Sequence, residues 1–295
     1  MPTISTPSKI AATKGYGAEV IFSGSTSQER EAMVAQVVER TGAILVPPYD
    51  HPNIILGQGT MALELEEQVE DMLTTDPKLD VHYQGVSEDG GERLARDQAN
   101  NESSKTAGRR RLDAVITPCG GGGMLSGVAT AMEGTGVRVY GAEPAFEGAD
   151  DARRGLANGE RITTVKTLTI ADGLRTPVGK IPWSIISDPT KVQGIFAVTE
   201  EQIKNAMKLV LERMKIFVEP SAVVGLATIL YNDDFRTLLA REAGPEGWNI
   251  GVVLSGGNTT VEAIAKLFGE THERAEREAG IVGQDGTKLA ENVAG

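Results

Sequence analysis

Four consecutive glycines, Gly120 to Gly123, lie between an apolar run that reads as a strand, Ala114 to Thr117, and one that reads as a helix, Met124 to Met132. This constrains the fold more than any other feature. Glycine weakens the interior of either element, so the run belongs to a strand-to-helix turn. There, successive backbone N–H groups can point inward without Cβ obstruction, and the helix N-terminus adds its positive dipole end. Pro118 to Met124 thus reads as a phosphate cup. The plainer alternative is a flexible linker, which would not normally join an apolar strand to an apolar helix. No Gly-Lys-Ser/Thr follows, which argues against a nucleotide P-loop.

The rest of the chain alternates short apolar runs with helical periods. Ala18 to Phe22, Ala43 to Val46, Ala114 to Thr117, Val137 to Ala142 and Ile250 to Leu254 are the candidate strands. Continuous apolar runs of this kind suit parallel strands buried on both faces. Helices are expected from Ser5 or Thr6 with Pro7 to about Gly15, from Ser25 to Arg40, and from Thr60 to Leu73. Another starts after Thr199, with Gln202 completing a capping box and Ile203, Met207, Val210, Leu211 and Met214 forming its apolar stripe. The fold class is therefore α/β, an open, mostly parallel sheet covered by helices. The polar stretch Thr74 to Arg111 reads as a long, disordered surface insertion, and the Glu/Arg/Gly-rich tail from Gly269 as a loose end.

Composition narrows the partners. A net charge of −12 and a pI near 4.9 argue against nucleic acid or an anionic membrane surface. No run of eighteen apolar residues exists to span a bilayer, and the first twenty residues lack a secretory signal. Cys119 is the single cysteine, which excludes an intrachain disulfide and fits a reducing, cytoplasmic setting. His51, His82 and His272 show no zinc spacing.

Three further motifs stand out. Gly57–Gln58–Gly59–Thr60–Met61–Ala62 matches the dinucleotide fingerprint on paper, but the required second strand with its acidic end is missing. Ser255–Gly256–Gly257–Asn258 follows the strand at Ile250 and reads equally as a ligand-facing turn or an ordinary one. Glu143 to Asp151 follows the strand at Val137. It offers hard oxygen ligands for Mg²⁺ or Ca²⁺, or is a solvated acidic loop.

Taken together and in order, the stretches PSKIAATKGYGAEV, GQGTMALEL, TPCGGGGMLSG, GAEP, TIADGL, FVEPSA and VVLSGGN resemble the fold-type II (tryptophan synthase β-like) pyridoxal-phosphate (PLP) enzymes. Within them the chain is similar to the serine racemase and serine, threonine and hydroxyaspartate dehydratase group, from about Met1 to Phe268. The resemblance implies PLP as cofactor, a small hydroxy amino acid as substrate, α-proton removal with β-elimination, and a homodimer. It implies that Gly120, Gly121, Gly122, Gly123 and Met124 hold the cofactor phosphate. Gly173 would line the ring, Glu219 would lie near it, and Ser255 would hydrogen-bond the pyridine nitrogen. Glu143, Asp151 and the carbonyl of Ala149 would match the group's divalent-metal site, in a loop about two residues longer.

The group's Ser-x-Lys-x-Arg-Gly segment, which carries the lysine that bonds the cofactor, and its Ser-Ser-Gly-Asn-His segment have no counterpart in the sequence. No residue is therefore assigned a catalytic role, and Lys9 and Lys14 match surface helix positions. The chain is expected to start about a hundred residues into the pattern. Residues 1–52 would be a remnant of the small domain, 53–268 the large PLP-binding domain with its insertion at 74–111, and 269–295 the loose tail. The rival expectation is a catalytically inactive truncated paralogue or fragment that lacks the Schiff-base lysine and acts, if at all, as a binding partner.

Overall fold

The computed structural model describes residues 1–25, 27–75, 112–244 and 247–278. Its helices are α1 (Pro7–Gly15), α2 (Ser27–Thr41), α3 (Pro52–Thr75), α4 (Gly123–Ala131), α5 (Asp151–Asn158), α6 (Lys180–Ile186), α7 (Glu200–Leu209), α8 (Val224–Tyr231), α9 (Asp233–Glu242) and α10 (Val261–Glu278). The strands are β1 (Ala114–Pro118), β2 (Arg138–Pro144), β3 (Gly194–Val198) and β4 (Ile250–Val252). The chain divides into two compact units. One joins Met1–Val46, Lys215–Glu219 and the residues from Gly256 on; the other joins Pro47–Met214 and Pro220–Ser255.

In the first unit α1 opens with Pro7, whose fixed φ suits the first helical turn, and closes before Gly17 at φ 83°. The expected strands Ala18 to Phe22 and Ala43 to Val46 are not strands. Among the described residues this region forms one isolated bridge, Pro2 to Ser23. A strand exists through pairing with a neighbour; residues 1–3 run beside Ile21 to Ser23 for a single bridge only, and among the described residues no strand lies beside Ala43 to Val46. The two extended segments instead line a cleft of about 300 Å³ with Met33, Val34 and Val37 of α2. Ile44 and Val46 are left 91% and 73% exposed. At the other end, α10 carries helix through 278, into the tail expected to fray or to carry a loose helix. Apart from Thr74 and Thr75, which end α3, the polar segment to Arg111 lies outside the described residues.

The second unit holds the sheet. Its order is β3-β2-β1-β4 and every pair is parallel. The α/β class with an open parallel sheet thus holds. β3 is not among the expected strands; of its five residues Ile195 and Val198 are buried. Side chains alternate across β2. Val139 joins the core with Leu125, Val128 and Met132 of the α4 region, while Tyr140 packs edge-on against Phe235 of α9 at 5.4 Å between ring centroids. α8 covers that second face, with Gly225 in contact distance of Ile116. The capping box at α7 forms as expected: Thr199 accepts from the Gln202 N–H at 3.2 Å, and Gln202 Oε1 accepts from the Thr199 N–H at 2.9 Å. Ile203, Met207 and Val210 are fully buried, whereas Met214 lies past the end of α7, half exposed.

The fingerprint-like Gly57 to Ala62 lies inside α3, where no nucleotide turn can form. Its second glycine has a different use. A Cβ on Gly59 would sit 2.7 Å from the carbonyl oxygen of Gly127 in α4, and one on Gly127 would sit 2.6 Å from the Gly59 nitrogen. The two helices therefore meet backbone to backbone. Substituting Gly127→Ala gains about 1 kcal/mol of helix propensity. It also forces apart a contact with backbone on the far side, which costs roughly 1–3 kcal/mol or more. The net result expected in urea denaturation is a lower midpoint with an unchanged m-value; an equal or higher midpoint refutes the close crossing.

Candidate cofactor site

In a parallel sheet, ligands collect at the carboxyl ends of the strands. The glycine run leaves that end of β1, the acidic loop leaves that end of β2, and Ser255 lies just past that end of β4. Gly122 caps α4 in the left-handed region, at φ 83°. Only glycine takes that conformation at little cost, and a Cβ there would also meet Ile186 and Pro182 of α6 at 2.8 and 2.9 Å. A Cβ on Gly120 would sit 3.0 Å from the Leu174 Cα and 3.2 Å from the carbonyl oxygen of Gly173. Gly121 and Gly123 are closed off by Tyr49, whose ring lies where a Gly121 side chain would go. Each glycine of the run is thus required by a close approach.

The result is a row of donors. Among the described residues, no acceptor meets the backbone N–H groups of Gly120, Gly121, Gly122, Gly123 or Met124. Gly120, Gly122 and Gly123 are buried. Buried N–H groups without partners are rare in folded proteins, and here several fall together at the start of a helix, where an anion is favoured. Gly173, in a short 3₁₀ turn, is brought beside Gly120, and its N–H donates to the buried Ser221 Oγ at 3.0 Å. Ser255 is exposed. Glu219 belongs to the other unit, where its N–H donates to the carbonyl of Gly256 at 3.1 Å.

The acidic loop is a structural surprise. Glu143 is fully buried, and its two oxygens accept the N–H groups of Ala152 and Arg153 at 3.0 and 2.9 Å, across the first turn of α5. Asp151 is buried beside it and accepts the Val178 N–H at 3.0 Å. Burial pushes the Glu143 carboxyl well above its usual range, and the Asp151 charge pushes it further. Burial likewise raises the Asp151 carboxyl, to about 6, against the hydrogen bond from Val178. Asp150 behaves oppositely: burial raises it, but the hydrogen bonds from Arg153 and Arg154, at 2.6 and 2.9 Å, bring it below its ordinary value. Ala149 is buried between the loop and α5. The simple solvated loop is therefore excluded for Glu143 and Asp151. Among the described residues no three His, Cys, Asp or Glu side chains gather as a metal cage.

The family model for pyridoxal-phosphate dependent enzymes matches residues 1–90 and 96–256. The chain belongs to that family. Its cup fits the cofactor's phosphate, since a cradle no Cβ could enter presents N–H groups that have no acceptor among the described residues. Among its relatives, the serine racemase of Arabidopsis thaliana is 35% identical over 86% of this chain and 62% of its own length. The L-threo-3-hydroxyaspartate ammonia-lyase of Saccharomyces cerevisiae is 32% identical over 91% of this chain and 67% of its own. The solved structure of maize serine racemase superposes with a TM-score of 0.68 at 32% identity, covering 94% of this chain and 70% of that one. The chain thus spans a little over three-fifths of the length of the Arabidopsis relative.

The sequence reading brought together the glycines and Gly173 but missed Tyr49 and Asp50 beside them. Their only signal was the run Pro47–Pro48–Tyr49–Asp50–His51–Pro52, a turn-forming stretch ahead of a helix. It also missed that Glu143 serves α5 directly.

The Asp151 shift carries a sign. Its folded-state value of about 6 lies above the ordinary one. The group's contribution is thus fully present below about pH 4 and is lost as pH rises through 6. In EDTA, Asp151→Asn should raise stability at pH 7.5 by an amount on the order of 2–3 kcal/mol, and change it little at pH 4. Thermal melts at the two pH values check this; an equal gain at both would mean ionisation of Asp151 is not what the substitution removes.

Proposed function

We propose that this chain provides the cofactor-binding body of a racemase or ammonia-lyase for a small hydroxy amino acid: serine, threonine or 3-hydroxyaspartate. The observation that carries the reading is the row of N–H groups from Gly120 to Met124, without acceptors among the described residues, in a cradle that excludes side chains. In this reading those residues hold the phosphate, Gly173 lines the ring, Glu219 lies near it, and Ser255 hydrogen-bonds the pyridine nitrogen. PLP, when bound, supplies the electron sink for α-proton removal. A neutral serine hydroxyl at the nitrogen keeps that sink mild. The relatives' names, serine racemase and L-threo-3-hydroxyaspartate ammonia-lyase, support the substrate class. The working form is read as a cytoplasmic homodimer. The family resemblance supports the dimer, and the single thiol fits the compartment. Among the described residues no helix is long and apolar enough to cross a membrane.

A second reading is a non-catalytic protein: Lys9 and Lys14 lie on α1, which belongs to the other compact unit from the cup. In that reading the protein binds the cofactor without turnover. A fluorescence titration separates the readings. PLP should bind, inorganic phosphate should compete, and pyridoxal, which lacks the phosphate, should bind at least tenfold more weakly. Equal affinity for PLP and pyridoxal would overturn the cup. With PLP bound, ammonia release from serine, threonine or 3-hydroxyaspartate, or racemisation of serine, assigns the reaction. Binding with none of these supports the non-catalytic reading.

A divalent cation, Mg²⁺ or Ca²⁺, belongs to the same proposal. Glu143, Asp151 and the Ala149 carbonyl would hold it, with water completing the shell. It would offset two acids that burial makes costly to ionise. Mg²⁺ should raise the melting temperature at pH 7.5 by mass action, and Asp151→Ala should abolish the rise. An unmodified chain that melts at the same temperature with and without either ion has no such site.

A further inference from the structure

We propose that Tyr49 and Asp50 are positioning residues that hold the glycine cup in its anion-binding shape. The inference rests on the phosphate reading of that cup and deepens it. The two residues are adjacent in sequence and grip the cup from two sides. Tyr49 lies directly on the run. Its ring rests against Gly121, and a Cβ on Gly123 would meet the Tyr49 Cβ at 3.0 Å and its Cα at 3.1 Å. Asp50 acts through α6. Its Oδ2 accepts the Lys180 N–H at 2.9 Å and its Oδ1 the Ile181 N–H at 2.8 Å, so the carboxylate spans the start of that helix. A carboxylate there satisfies two orphan donors and suits the helix dipole. The residue just before α6, Gly179, donates its N–H to the carbonyl of Gly121 at 3.0 Å. A Cβ on Gly179 would lie 2.7 Å from the Asp50 carboxyl carbon, so the fit is close here too.

The pair is itself anchored. The His51 N–H donates to the Tyr49 carbonyl at 3.0 Å, and His51 Nδ1 accepts the Asn53 N–H at 3.1 Å, at the start of α3. α3 in turn crosses α4 at Gly59 and Gly127. The cup is thus held at its own helix, at α6 and at the lead-in to α3.

Glycine peptides need such a grip. With no Cβ, residues 120–123 can turn their peptide planes through a wide range of φ and ψ. A run free to do so loses its convergent N–H groups and must be reordered by each anion that binds. Tyr49 removes that freedom at Gly121 and Gly123 by contact. Asp50 removes it at the Gly121 carbonyl by fixing Gly179 and α6.

The test compares PLP, pyridoxal and inorganic phosphate as probes of the full chain, by fluorescence titration and by competition. Tyr49→Leu and Asp50→Asn should weaken PLP and inorganic phosphate tenfold or more. Pyridoxal binding should stay within twofold, because pyridoxal does not use the cup. A purely structural role would move all three probes together, or none. Thermal melts identify a variant that fails to fold. Asp50→Asn keeps one acceptor for α6, so it gives the answer if Tyr49→Leu is lost. PLP and phosphate affinities unchanged in a folded variant overturn the proposal. If the unmodified chain itself does not distinguish PLP from pyridoxal, the phosphate reading fails first, and this inference falls with it.

Discussion

The approach of α3 to α4 at Gly59 and Gly127 is the contact on which the site depends. A Cβ on either residue would collide with backbone of the other helix, so at this point the helices meet main chain to main chain. α4 begins in the cup, and α3 begins just after Tyr49 and Asp50. Pressing these helices together brings both of their N-terminal ends to one place. The distance between the cup and its aromatic cover is therefore set by a contact inside the helices, away from the ligand.

Much of the fold was legible because its signals are local. The turn between β1 and α4, the capping box at Thr199 and Gln202, and the proline start of α1 each depend on a few adjacent residues, and each formed as read. Long-range pairing was not legible. Ala43 to Val46 has strand composition, yet composition does not supply a neighbour, and among the described residues no strand pairs with it. Gly194 to Val198 is comparably apolar and is a strand because β2 lies beside it.

The site divides along the same line. The glycine run could be read because phosphate chemistry needs consecutive small residues at one turn. Asp50 could not, because its partners are Lys180 and Ile181, some 130 residues away in sequence. Glu143 lay between the two cases. Its position after a strand marked it as a ligand candidate. Its bonds to Ala152 and Arg153 give it a second task, capping a helix whose first residue is the other acid, Asp151.

Cys119 stands at the junction of these parts, between β1 and the glycines. It is 1% exposed, and burial raises its thiol well above the ordinary value, reinforced by the charges of Glu143 and Asp151. Thiolate is the form that alkylates and oxidises, so the native sulfur stays silent toward labelling reagents while the fold is intact. As the sole cysteine of 295 residues, it gives the protein a chemically blank surface. One thiol introduced at a chosen exposed position would take a spin label or fluorophore there alone, and a reaction at Cys119 itself would report that the sheet had opened.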